Sequence, residues 1–548
     1  MVKTIEAVKE FFNDEKGKYI IYGAVGIAAT GIIAYLAYKY NSKSTDNEHL
    51  PRPEIDDEAP KSPAIVAQDH KNRGNKYFKG QNYEKALECY SKALDICPEE
   101  NGNDRATFHQ NRAACFEKMG VHERVVEECT MSIKYNQRYI KALKRRAVSY
   151  ENLSELVNAL EDITAVCILE EFKQPQSYEI CDRILKAHAR KLASEKYKLR
   201  VPKLPSNHFI NSYFVSFRFN IFEVEGQDGD SPFLKACNDF ANKSYGCIIK
   251  YCTDEINRNS EYHIPAHLAR GTFYLLSGDS KSAMDDLNYV IENPLSTNAH
   301  KANAYIKRGS LKVQQWNSED SKSDFDEAVK IDSSLVDPFH HRGQLFLIMD
   351  NIPRALEDFE KCNQLDSEFE HSFIQMCYAK YRQCSTSQDF VGAEKALTNF
   401  KHCLERFPNC SDGYALYAQA MAEQGKVTES LESFDKAISL DPLNASNYVH
   451  KGVLVDNVKN DRDAAIKLLQ KAISVDDRCD FAYEMLGTIE VQRLNYDEAI
   501  RSFNAAIEIA KFEMELAHLF SLREAAASYK SVKEKYGITM NLERMKMI

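Results

Sequence analysis

There is one tryptophan in 548 residues. No GxSxG, HExxH or P-loop pattern occurs, so the usual placements of a nucleophile, a catalytic metal or a nucleotide phosphate are missing. The 15 cysteines contain no CxxC pair and do not cluster with histidine, which excludes the common zinc modules. Their irregular spacing argues against the disulfide framework of a secreted protein and for a compartment that keeps thiols reduced. Each reads as a small buried hydrophobe. A basic excess is lacking too. The net charge is -10 with both signs interspersed, so no nucleic-acid footprint exists.

Long apolar runs are absent but for one. Residues 19–38 carry no charge, between Lys16 and Lys18 on one side and Lys39 and Lys43 on the other. Such a helix, rising about 1.5 Å per residue, spans roughly 30 Å, the thickness of a bilayer core. A secretory signal would be shorter and end at a small-residue cleavage site. A cleaved mitochondrial presequence would avoid acids such as Glu6, Glu10, Asp14 and Glu15. The expectation is a short N-terminal segment at 1–18 and a permanent transmembrane anchor at 19–38. Residues 39–66, polar and carrying Pro51, Pro53, Pro60 and Pro63, read as a flexible linker.

What the chain has in quantity is repetition. From Ala67 a pattern recurs about every 34 residues. Its clearest copy holds Gly74, Tyr77, Ala86, Tyr90, Ala93 and Pro98. Gly74 is small where two helices cross, Tyr77 fills the gap between them, and Pro98 stops the second helix. Gly271, Gly309, Gly343, Gly452 and Gly487 mark the crossing in later copies. The set resembles the tetratricopeptide repeat (TPR). The predicted fold class is all-α: a TPR superhelix of about eleven helical hairpins with one N-terminal transmembrane helix. Repeats one to three fill 67–171, a connecting segment 172–228, repeats four to eleven 229–510, and a capping helix 511–548. The connector carries Phe209, Phe214, Phe217, Phe219 and Phe222, aromatics that require burial. Packing between the two arrays is the expected use, with ligand contact as the alternative.

First helices line the groove of such an array. Lys71 and Asn75 lie one turn apart on the first helix of repeat one, Asn111 takes the corresponding place in repeat two, and Lys141 and Arg145 lie one turn apart in repeat three. Three cations and two amides facing one cup suit a carboxylate ligand. The set resembles the carboxylate clamp of chaperone-binding TPR domains, which implies that it holds the C-terminal Glu-Glu-Val-Asp tails of cytosolic heat-shock chaperones. Solvated helix faces are the plain alternative for any one of these residues.

Anchor, linker, clamp triplet, aromatic connector and long second array together resemble one family, the large TPR import receptors of the mitochondrial outer-membrane translocase. The likeness is sharpest in Phe339-His340-His341-Arg342-Gly343-Gln344-Leu345, in Gly413-Tyr414-Ala415-Leu416-Tyr417-Ala418-Gln419-Ala420 and in Gly487-Thr488-Ile489-Glu490-Val491-Gln492-Arg493. It implies a single-pass protein of the mitochondrial outer membrane, N-terminus toward the intermembrane space and bulk in the cytosol. Such a receptor takes hydrophobic preproteins, notably carriers with internal signals, from chaperones and passes them to the translocase pore beside other translocase subunits. Repeat geometry then assigns a preprotein groove to Leu268, Leu275, His341, Gln344, Gln419, Glu423, Asp456, Glu484 and Gln492, although each Leu fits the core equally well. No enzyme activity, cofactor or metal is expected. A membrane-tethered TPR co-chaperone scaffold is the alternative, and it would need a second clamp that the later repeats do not show.

Overall fold

The structure, a computed structural model, describes residues 62–224, 230–315 and 318–539. The expected anchor at 19–38 and the segments on either side of it, to residue 61, lie outside the described residues. Among the described residues no helix is long and apolar enough to cross a membrane.

These residues form 25 α-helices and no strand. Most pair in chain order as hairpins. The first three are Pro63–Lys79 with Tyr83–Ile96, Gly102–Met119 with His122–Tyr135, and Ile140–Asn152 with Leu156–Leu169. Eight more run from Pro232–Ala241 with Ile248–Arg258 to Asp480–Gln492 with Tyr496–Ile509. Three helices stand outside the hairpins: Pro175–Leu199, Asn207–Val215 and Glu513–Tyr536.

The linker expected at 39–66 is shorter than that. Pro63 opens the first helix at a position where its missing N–H is no loss and its fixed φ is already helical. The connector at 172–228 holds two helices, Pro175–Leu199 and Asn207–Val215.

Each hairpin is registered by pairs sixteen residues apart. At several crossings where the first helix has glycine, the second brings up an aromatic ring, whereas Gly271 and Gly452 face aliphatic side chains such as Leu287 and Leu469. A Cβ on Gly74 would lie 2.5 Å from Tyr90, on Gly343 2.8 Å from Phe359, and on Gly487 2.6 Å from Phe503. Only glycine permits that approach. The residue before the glycine or alanine is often arginine, and it forks onto an aspartate at the same spacing. Arg146 grips Asp162 at 2.6 and 2.8 Å, Arg270 grips Asp286 at 2.8 and 2.8 Å, Arg308 grips Asp324 at 3.0 and 2.6 Å, and Arg342 grips Asp358 at 2.8 and 2.7 Å. In each, the third nitrogen reaches back to the preceding hairpin: to Thr130, Thr253, Asn288 and Asp326 respectively. One planar guanidinium thereby fixes three helices.

Two compact units result. One comprises the described residues to Ser194 with Glu490–Ile500 and Phe520 onward; the other comprises Glu195–Ile489 with Arg501–Leu519. The last helix is therefore more than the cap expected at 511–548. From Phe520 it packs in the first unit, where Val532 and Ile538 join the apolar cluster of Ile163 and Val166. There Tyr536 donates to Asp162 at 3.2 Å and accepts from Arg146 at 3.0 Å. The aromatic connector also departs from expectation. Its rings meet Phe240, Phe273, His300 and His341, all within the second unit.

The staple yields a stability prediction. Asp162→Ala strands a largely buried Arg146 and should cost about 3–5 kcal/mol, whereas Arg146→Met with Asp162→Leu should cost much less. Denaturant midpoints of the full chain and both variants check this; an equal loss in both would place the stability in side-chain volume and not in the ion pair.

Candidate functional site

The five clamp residues project from three first helices: Lys71 and Asn75 from Pro63–Lys79, Asn111 from Gly102–Met119, Lys141 and Arg145 from Ile140–Asn152. A short relay links the first two of those helices. Asn75 accepts a hydrogen bond from the Tyr90 hydroxyl at 2.8 Å. The Tyr90 ring packs with Cys115, which lies one turn from Asn111. Burial pushes the Cys115 thiol up to about 12, partly offset by the charges of Arg145 and Arg112. Asn75 on the first of these helices is thus tied through Tyr90 to Cys115 on the helix that bears Asn111.

The cations of this set differ in their engagement. Lys141 is exposed and Lys71 half-buried, and among the described residues neither has a hydrogen-bond or ion-pair partner. Arg145 is held in place, its Nε donating to Glu117 Oε2 at 2.8 Å. Its Nη1 is buried with nothing accepting from it. A buried donor left unpaired costs free energy, and an arriving oxygen that accepts from it removes that cost. Glu117 escaped the sequence reading. No motif marks it; only its place on the neighbouring first helix, opposite Arg145, gives it a role.

The residues assigned to a preprotein groove do not form one surface. Leu268 is 0% and Leu275 3% exposed, both inside the apolar cluster around Phe273, so neither lines a groove. The hydrophobic side of their helix faces both its hairpin partner and the next hairpin, which leaves no Leu for a ligand. Gln419 and Glu484 are also buried, and Glu484 accepts from or donates to His518 Nε2 at 3.0 Å according to protonation. Glu423 is half-buried; burial pushes its carboxyl up to about 7, with Arg382, Tyr381 and Tyr378 opposing that shift. Asp456 is half-buried in the π-turn Val455–Lys459, 3.7 Å from Arg462. Gln492, on Asp480–Gln492, is half-buried as well.

His341 and Gln344 do belong together. Their side chains are 3.1 Å apart, and the His341 ring lies against Phe217 with centroids 4.2 Å apart. Burial pushes the His341 imidazole down to about 3, so it stays neutral. Beside it His340 is fully buried between Phe359 and Phe369 with both ring nitrogens unpartnered. Among the described residues no cluster of histidine, cysteine and acid has the makings of a metal site.

The tetratricopeptide repeat family model matches residues 67–100. The mitochondrial import receptor subunit TOM70 of Homo sapiens is 43% identical over 490 residues, which cover 86% of this chain and 81% of the human one. TOM70 of Rattus norvegicus is also 43% identical over 490 residues, covering 86% and 80%. The crystal structure of yeast Tom70 superposes with a TM-score of 0.51 over 88% of this chain and 99% of that one; at 23% identity it shows a common fold. This chain belongs to the TOM70 family of mitochondrial import receptor subunits.

Proposed function

We propose that this import receptor is held in the mitochondrial outer membrane by residues 19–38 with its repeats in the cytosol. Repeats one to three take the C-terminal tails of heat-shock chaperones; repeats four to eleven take hydrophobic preproteins such as carriers. Cargo then passes to the translocase pore. The chain works by binding alone and is not an enzyme.

The observation that carries the chaperone half is Arg145, anchored through Nε and with Nη1 unfilled, beside the unpartnered cations Lys71 and Lys141. Anchoring removes much of the side-chain entropy that a ligand would otherwise have to freeze. A terminal carboxylate finds a preset donor, two mobile ammonium groups and the two amides of Asn75 and Asn111. Glu117 keeps the guanidinium from collapsing onto the helix and also repels misplaced anions.

Arg145→Ala should weaken a peptide ending in Glu-Glu-Val-Asp by about 1.5–3 kcal/mol, hence roughly 10- to 150-fold. Calorimetric titration of the full chain checks this; equal affinities, or unchanged binding of the C-terminally amidated peptide, would sink the clamp. The same variant should bind a carrier preprotein directly as well as the wild type does. A parallel loss of carrier binding in pull-downs would show that one site serves both ligands. Protease added to intact mitochondria should remove the repeats. Protection that persists until the outer membrane is ruptured would refute the orientation.

A further inference from the structure

The second unit contains a segment of its own chain laid across its hairpins. Residues 204–222 touch first helices and the turns that lead into them, one after another. Three of those turns carry aspartate at the same place in the repeat: Asp366, Asp441 and Asp476. Each uses one oxygen at home. Oδ1 accepts from the backbone N–H two residues on, at Glu368, Leu443 and Arg478 respectively. Each turns the other oxygen to the segment. Oδ2 of Asp366 meets Arg218 Nε at 2.7 Å, Oδ2 of Asp441 meets His208 Nε2 at 3.2 Å, and Oδ2 of Asp476 accepts from Ser206 Oγ at 2.7 Å.

The middle of the segment is held more closely. The amides of Arg218 and Phe219 donate to the two oxygens of Asp337 at 2.7 and 2.9 Å. Phe217 lies on His341, and Lys307 Nζ sits 4.8 Å from the centre of the Phe217 ring. The Arg218 guanidinium lies 4.7 Å from the centre of the Phe369 ring. Polar atoms of the first helices that bear Lys307 and His341 are buried yet unpaired: Asn303 Nδ2 and both nitrogens of His340. A core closed for good would have no use for orphaned donors and acceptors. A surface that changes occupants would.

We propose that residues 204–222 are a built-in occupant of the preprotein site, and that this site takes a peptide whose aromatic residues flank a cationic one, which displaces the segment. The reading rests on the receptor function given above. It explains the chemistry on both sides. Turn aspartates and Asp337 want cations and free N–H groups, Phe369 wants a cation on its face, and His341 and the Lys307 side chain want an aromatic ring. The segment raises the threshold for binding, because a ligand gains only the difference between its own contacts and those it replaces.

The test uses the full chain in lipid nanodiscs. The probe is a fluorescent synthetic peptide copying residues 204–222. The variant combines Ser206→Ala, His208→Ala and Arg218→Ala, which removes the three side-chain anchors and leaves every aromatic. It should bind the probe at least about tenfold more tightly than the wild type. Asp366→Asn, Asp441→Asn and Asp476→Asn together should give no such gain, since the ligand loses what the segment loses. A probe copy carrying Phe217→Ser, Arg218→Glu and Phe219→Ser should bind neither chain. In the wild type, amide exchange at Arg218 and Phe219 should speed up when a hydrophobic preprotein is added. Unchanged probe affinity in the anchor variant overturns the proposal, as does unchanged or slower exchange at those two amides with preprotein bound. If the probe results hold while no preprotein binds either chain, the segment's site stands and the receptor reading falls.

Discussion

A guanidinium that binds three helices at once sets the geometry of this protein. Hairpins of two short helices bury too little surface to stand alone, so each must be fixed to its neighbour in a set register. Glycine–ring pairs set the approach within a hairpin, but apolar contacts alone do not fix the register from one hairpin to the next. The forked bonds of Arg146, Arg270, Arg308 and Arg342 do. Two parallel bonds to a carboxylate fix the angle within the hairpin, and the third nitrogen fixes the distance to the hairpin before it. Burial raises the cost of error, since a misplaced hairpin leaves a nearly dry charge without its mate. Functional faces depend on this. Lys71, Asn75, Asn111, Lys141 and Arg145 all stand on first helices, so their relative placement follows the hairpin register.

Much of the fold was legible in the sequence because glycine and aromatic residues mark the crossings at a fixed interval. Gly74, Gly309, Gly343 and Gly487 sit where a ring sixteen residues on leaves no room for a Cβ. The staples were legible in principle, as an arginine before the small residue and an acid sixteen positions later, but such pairs stand out only once the hairpin register is known. The placement of Lys71, Asn75, Asn111, Lys141 and Arg145 on first helices was readable for the same reason as the crossings: first-helix positions recur with the repeat. Groove residues were not. Period alone says which residues share a helix face, and in a stacked array most faces are covered. Leu268 and Leu275 obey the period and lie in the core.

The connector shows a different limit. Its aromatics were correctly read as needing burial, yet composition could not tell what would bury them. Partner choice here is set by features distant in sequence, such as Asp337 turned toward the amides of Arg218 and Phe219, 119 and 118 residues away. No local pattern encodes a pairing of that length. A polar, half-satisfied surface under an aromatic strip is a property of the folded unit.

The bond between Arg146 and Tyr536 joins residues 390 positions apart. The unit that holds the first three hairpins therefore lacks part of its packing until Tyr536 has been made. At ribosomal speeds of about 5–20 residues per second, that gap lasts on the order of half a minute. During that interval the patch around Ile163 and Val166 has no Val532 or Ile538 to cover it. A prematurely ended chain would keep that patch bare, offering a handle to the machinery that disposes of incomplete proteins. Synthesis as far as Ile538 is thereby registered in the packing of the first three hairpins.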